Sequence, residues 1–154
     1  MSNSPQEYIN FANKLADVAG TTSMEYFRTS LSIDNKSDES PVTIADKNTE
    51  LKIRSMIEKE YPNHGILGEE FDSVNPDAEF IWVIDPIDGT RSYIAGHKDF
   101  GNLISLTQNK KPIIGIINCP AHNERWVGVQ NLNSTINQNP AKSSNVTNIE
   151  NAYL

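Results

Sequence analysis

An apolar run, Phe80-Ile81-Trp82-Val83-Ile84, leads without a break into Asp85-Pro86-Ile87-Asp88-Gly89-Thr90, and this junction constrains the chain more than any other feature. A short block of aromatic and β-branched residues fits a buried strand. The strand delivers Asp85 at its end, where the chain must turn sharply. Pro86 fixes one backbone angle and removes a donor, while Gly89 permits close backbone approach. Asp85 and Asp88 can then converge across the turn with the Ile87 carbonyl between them, an oxygen set suited to a hard cation such as Mg²⁺. The amides of Gly89 and Thr90 would open a helical turn, a natural seat for a phosphate. Asp, Pro and Gly also build ordinary surface turns, so the junction alone leaves that reading open.

Upstream, Ser4-Pro5-Gln6-Glu7 places a capping hydroxyl, a proline at the first helical position and a glutamate three residues after the cap. Tyr8, Ala12, Leu15, Ala16 and Ala19 follow at helical spacing; Gly20 weakens the middle, and Met24, Tyr26 and Phe27 continue or restart the helix. Residues 31–41 read as a polar loop with a short strand over Leu31–Ile33. A second helix is predicted from Thr43, with Asp46 in its first turn, a stripe of Ile53, Met56, Ile57 and Tyr61, and a stop at Pro62-Asn63-His64-Gly65. Beyond the junction, Asn102–Thr107, Pro112–Asn118 and Glu124–Gln130 read as strands, the first two joined through Asn109-Lys110-Lys111. Residues 131–148, rich in Asn and Ser, read as turns or a ragged edge. Helices followed by a mostly antiparallel run of strands is an α+β plan.

Gly68-Glu69-Glu70 follows the apolar Ile66-Leu67. Adjacent glutamates are ordinarily solvated, yet at a strand end one of them can bridge metals held by the Asp pair. Asp46 likewise suits a helix start with no catalytic duty. His64, His97 and His122 lack metal-ligand spacing, and Cys119 has no partner, so all four are assigned to structure. The 13 basic and 20 acidic residues give a net charge of -7, which argues against a nucleic-acid surface. No apolar run has membrane-spanning length and no signal-peptide pattern opens the chain. A lone cysteine fits a reducing compartment, and the expected location is cytoplasmic, without membrane partners.

Taken in series, Ser40-Pro41-Val42-Thr43-Ile44-Ala45-Asp46, Gly68-Glu69-Glu70 and Trp82-Val83-Ile84-Asp85-Pro86-Ile87-Asp88-Gly89-Thr90 resemble the inositol monophosphatase family. The continuation Arg91-Ser92-Tyr93-Ile94-Ala95-Gly96-His97 looks most like bacterial members acting on histidinol phosphate. The resemblance implies a Mg²⁺-dependent phosphomonoesterase acting on a small phosphorylated metabolite, in histidine biosynthesis if the subfamily holds. Glu69, Asp85 and the Ile87 carbonyl would hold one metal, and Asp85 with Asp88 would share a second. Thr90 and Asp46 would activate water, and Glu69, Asp88, Gly89 and Thr90 would meet the substrate. The implied architecture is the N-terminal half of a layered αβαβα sugar-phosphatase-like fold. Residues 1–148 would form its metal- and phosphate-binding domain, and 149–154 the approach to the first strand of a C-terminal α/β domain.

Family members carry a Trp-Asp motif in that second domain. Here Trp82 precedes Val83 and Trp126 precedes Val127, so the active site is expected to be incomplete. A homodimer or a complementing second-domain chain is the expected partner. The alternative function is a non-catalytic metal- or phosphate-binding half that pairs with a full-length relative. Haloacid-dehalogenase-like phosphatases carry Asp-x-Asp-Gly-Thr, but the spacing here is one residue longer. Sulfur-metabolism and fructose-bisphosphate phosphatases share the implied fold.

Overall fold

The structure is a computed structural model that describes residues 4–30, 33–35 and 41–152. Helix α1 (Pro5–Tyr26) starts with the anticipated capping box, in which Ser4 and Glu7 satisfy each other's backbone amides. It runs unbroken through Gly20 because Leu15, Ala16 and Ala19 are fully buried, and packing of that stripe outweighs glycine's poor propensity. Strands β1 (Ile33–Asn35) and β2 (Pro41–Thr43) form a separate antiparallel pair. Asp34, Asn35 and Pro41, expected in a loop, are therefore paired strand, while Leu31 and Ser32 lie outside the described residues. Helix α2 (Ile44–Glu60) is capped by Thr43, with Asp46 returning the bond to the Thr43 amide.

The main sheet has seven strands in the order of the chain: β3 (Gly65–Leu67), β4 (Phe80–Asp88), β5 (Gly101–Gln108), β6 (Lys111–Cys119), β7 (Glu124–Val129), β8 (Thr135–Ile136) and β9 (Asn139–Pro140). Among the described residues only the β3–β4 pair is parallel. The fold is thus α+β, helices packed on a mixed, mostly antiparallel sheet. One feature corrects the sequence reading: the Asn-rich segment after β7 contributes the narrow ladder β8–β9, whose residues lack the apolar alternation by which strands are recognised. The helical turn expected at Gly89-Thr90 is α3 (Thr90–Ile94), and single 3₁₀ turns occupy Pro120–His122 and Ile149–Asn151.

Helices α1 and α2 press Leu15, Ile53 and Ile57 onto the sheet residues Trp82, Ile84, Ile104, Leu106, Ile114 and Ile116. The alternation in β4 is clean at first, with Trp82 and Ile84 buried and Val83 and Asp85 turned the other way. It then breaks: Pro86 and Ile87 are both buried, and the pairing with β5 shifts register between Asp85 and Asp88. The chain does not turn sharply after Asp85 but bulges, continues to Asp88 and turns at Gly89. Ile87 joins a second cluster with Ala45, Tyr93 and Phe100, which fastens α3 beneath the bulge. No helix among the described residues is long and apolar enough to cross a membrane.

Candidate active site

The β4 bulge splits its residues between two surroundings. Ile87 and Pro86 go into the core, and Asp85 and Asp88 go to the rim of a cavity of about 610 Å³ walled by Val83, Leu103, Ile117 and Trp126. Asp85 Oδ1 is buried with no hydrogen-bond partner. Burial first, then the Glu69 carboxyl within hydrogen-bond reach, then the charge of Asp88, raise the Asp85 carboxyl to about 7; the Ile87 amide pulls weakly the other way. A carboxylate left in this state lacks a positive charge. The bulge thus brings Glu69, Asp85 and Asp88 to one locality.

Their closeness has a limit. Among the described residues no group of three or more His, Cys, Asp or Glu side chains is gathered tightly enough to hold an ion unaided. Mg²⁺ keeps several waters and takes one or two carboxylates plus substrate oxygens. The donor set of carboxylates and the Ile87 carbonyl, with an orphaned oxygen on Asp85, fits such an ion.

Thr90 and Asp46 also meet as expected. The Thr90 hydroxyl lies 2.9 Å from the Ile87 carbonyl oxygen and 3.4 Å from Asp46 Oδ1. The other Asp46 oxygen accepts from the Thr43 amide at 2.8 Å and the Thr43 hydroxyl at 2.5 Å, so the cap itself aims the carboxylate at Thr90. Gly89 has φ +85, and a Cβ there would stand 2.9 Å from the Asp99 carbonyl oxygen, so both conformation and space require glycine.

The structural assignment of three other groups is physical. His64 stacks on Tyr61 and Phe80, and its Nδ1 accepts from Trp82 Nε1 at 3.1 Å. His122 pairs with Asp99 at 3.0 Å on the surface, and burial pushes the Cys119 thiol up, away from nucleophilic readiness. His97 is exposed.

Sequence reasoning missed Glu50, Arg54 and Asn102. Glu50, fully buried, accepts from the amides of Glu69 (3.1 Å) and Glu70 (2.8 Å) and from Arg54 Nε (2.7 Å). Asn102, also fully buried, donates to the Pro86 carbonyl inside the bulge at 2.7 Å and to Ser23 Oγ at 3.2 Å. The available signal was polar side chains at positions where the strand or helix period calls for burial.

The sequence profile of the inositol monophosphatase family matches residues 4–154. The chain belongs to the inositol monophosphatase family. Among relatives of this family, it is 40% identical to the bifunctional phosphatase IMPL2 of Arabidopsis thaliana over 92% of this chain and 42% of that protein. It is 39% identical to a histidinol-phosphatase of Chlorobaculum parvum over 88% of this chain and 53% of that one. A solved inositol monophosphatase from Zymomonas mobilis superposes with a TM-score of 0.79 at 44% identity, covering 93% of this chain and 55% of the other. The chain spans about half the length of the relatives it matches.

Proposed function

We propose that this chain supplies the metal- and phosphate-binding half of a Mg²⁺-dependent phosphate-monoester hydrolase. The observation that carries the reading is Asp85, a carboxyl with an orphaned buried oxygen, pushed up to about 7 beside Glu69 and Asp88. A bound cation would account for this arrangement by supplying the missing positive charge. Glu69, Asp85 and the Ile87 carbonyl would hold one ion, and Asp85 with Asp88 a second. When bound, Mg²⁺ supplies the positive charge that acidifies water and steadies the leaving oxygen.

The remaining work falls to the chain's own groups. The Thr90 hydroxyl, held between Ile87 and Asp46, can take a proton from the attacking water as its own proton moves to Asp46. Asp46 stays oriented through this exchange because Thr43 grips its second oxygen. The Gly89 and Thr90 amides would receive phosphate oxygens, and Glu69 and Asp88 would face the rest of the substrate. Histidinol phosphate is proposed as the substrate ahead of inositol monophosphate, supported by the Arg91–His97 segment and by the histidinol-phosphatases among the relatives. A complementing second domain, or a homodimer, would complete the pocket.

Phosphate release from histidinol phosphate and from inositol 1-phosphate, with Mg²⁺ or with EDTA, tests this on the chain alone and on the chain mixed with a relative's separately expressed second domain. The expected result is slow or no turnover alone and Mg²⁺-dependent turnover of histidinol phosphate in the mixture. Faster turnover of inositol 1-phosphate would overturn the substrate assignment only. Metal binding without turnover in any mixture would favour a non-catalytic binding half.

A further inference from the structure

Helix α2 carries three ionisable residues at one-turn intervals, Asp46, Glu50 and Arg54, all buried. The stripe that packs against the core, Ile53 and Ile57, cannot account for them. Burying an ion pair costs free energy unless every oxygen and proton is used, and an apolar pair of similar volume usually stabilises more. What these residues touch is therefore informative. Asp46 meets Thr90 on the far side of the β4 bulge. Glu50 meets the other ligand-bearing segment: its Oε2 accepts from the Glu69 and Glu70 amides, and its Oε1 accepts from Arg54. Arg54 reaches past it to the Phe71 carbonyl at 2.8 Å, with its guanidinium 5.7 Å from the Phe71 ring centroid. Gly68 presses so closely on this carboxylate that a Cβ there would run into Glu50 Oε1.

We propose that Glu50, locked by Arg54, is a positioning residue that fixes the Glu69 segment, so that α2 sets the spacing between Glu69 and the Asp46–Thr90 pair. Four consecutive residues, Gly68 to Phe71, are held by this one turn of helix. The same rigid element, anchored by Ile53 and Ile57, holds Asp46 at its start. Glu50 touches neither metal nor substrate; it acts through the backbone of Glu69. The proposal rests on Glu69 and Asp85 being metal ligands, as argued above.

The test uses the chain as it stands, with Mn²⁺ as the probe, titrated calorimetrically, and with hydrogen exchange of the Glu69 and Glu70 amides in metal-free protein. Glu50→Gln keeps the shape and removes the charge and one acceptor. The expected result is lost protection at Glu69 and Glu70, unchanged protection at Leu106 and Ile116 in the sheet, and Mn²⁺ affinity lower by about 10- to 100-fold. A folded Glu50→Gln with wild-type Mn²⁺ affinity overturns the proposal, whatever happens to the amides. Should Glu50→Gln fail to fold, Arg54→Lys, which keeps the charge and loses the fork to Phe71, takes its place under the same criteria. Failure of both to fold assigns the pair to folding and ends the proposal. Asp85→Asn, run in parallel, separates the two levels. Equal Mn²⁺ binding by wild type and Asp85→Asn brings down the metal site itself. Loss in Asp85→Asn without loss in folded Glu50→Gln brings down only the positioning role.

Discussion

Removing the charge of Asp85 should stabilise the metal-free protein while abolishing its response to metal. Asp85 Oδ1 has no partner, and burial together with Glu69 and Asp88 raises the carboxyl from 3.8 to about 7. Below pH 3.8 the folded and unfolded states both hold the proton, and the group has no effect. As pH climbs from there to about 7 the unfolded state ionises first, so stability is lost through that interval and is level above it. A difference of roughly 3 pH units at about 1.4 kcal/mol each amounts to about 4 kcal/mol. Asp85 is only partly buried, so solvent screening reduces this to about 1–2 kcal/mol. Asp85→Asn keeps the shape and can donate to Glu69. In EDTA at pH 8 its Tm should exceed that of wild type by about 2–8 °C, the gap closing as pH falls towards 4. Added Mg²⁺ should raise wild type alone, by mass action on the folded state. Thermal unfolding followed by circular dichroism measures all of this. A variant melting below wild type in EDTA at pH 8 would refute the reasoning, because Asp85 would then be a structural acceptor and not a ligand held in waiting.

Asn102→Leu should destabilise the fold by about 1–3 kcal/mol, since it leaves the Pro86 carbonyl and Asn118 without their shared partner; chemical denaturation that finds no loss would show that the bulge is held by packing alone. His64 is kept below its ordinary value chiefly by burial, with Glu79 opposing, so its contribution to stability is present above pH 6.5 and lost as pH falls below it. The Tm of His64→Phe relative to that of wild type should therefore rise as pH goes from 7 to 5, and a constant difference would exclude a contribution from His64.

Much of the fold was legible in the sequence, and so was the clustering of the candidate site residues. Asp85, Ile87, Asp88, Gly89 and Thr90 are neighbours in the chain, so they share one short segment wherever it folds, and their residue types state the chemistry. The same holds for the ends of α1 and α2, where Ser4 with Glu7 and Thr43 with Asp46 close capping boxes across three residues. Strands β8 and β9 were not legible, because such short segments are held by ladder bonds, β8 to β7 and β9 to β8, that no residue pattern encodes. Nor was the bulge in β4, which exists because Ile87 is drawn towards Ala45, Tyr93 and Phe100 from other elements. Tertiary packing also decided what Glu50, Arg54 and Asn102 do. By sequence each is an ordinary polar residue; in the fold each finds partners 16 to 20 residues away, as in Asn102 to Pro86 and Glu50 to Glu70. Local composition selects which atoms can bind a cation and a phosphate. The distances between them depend on contacts far apart in sequence, and these form only when the helices close on the sheet.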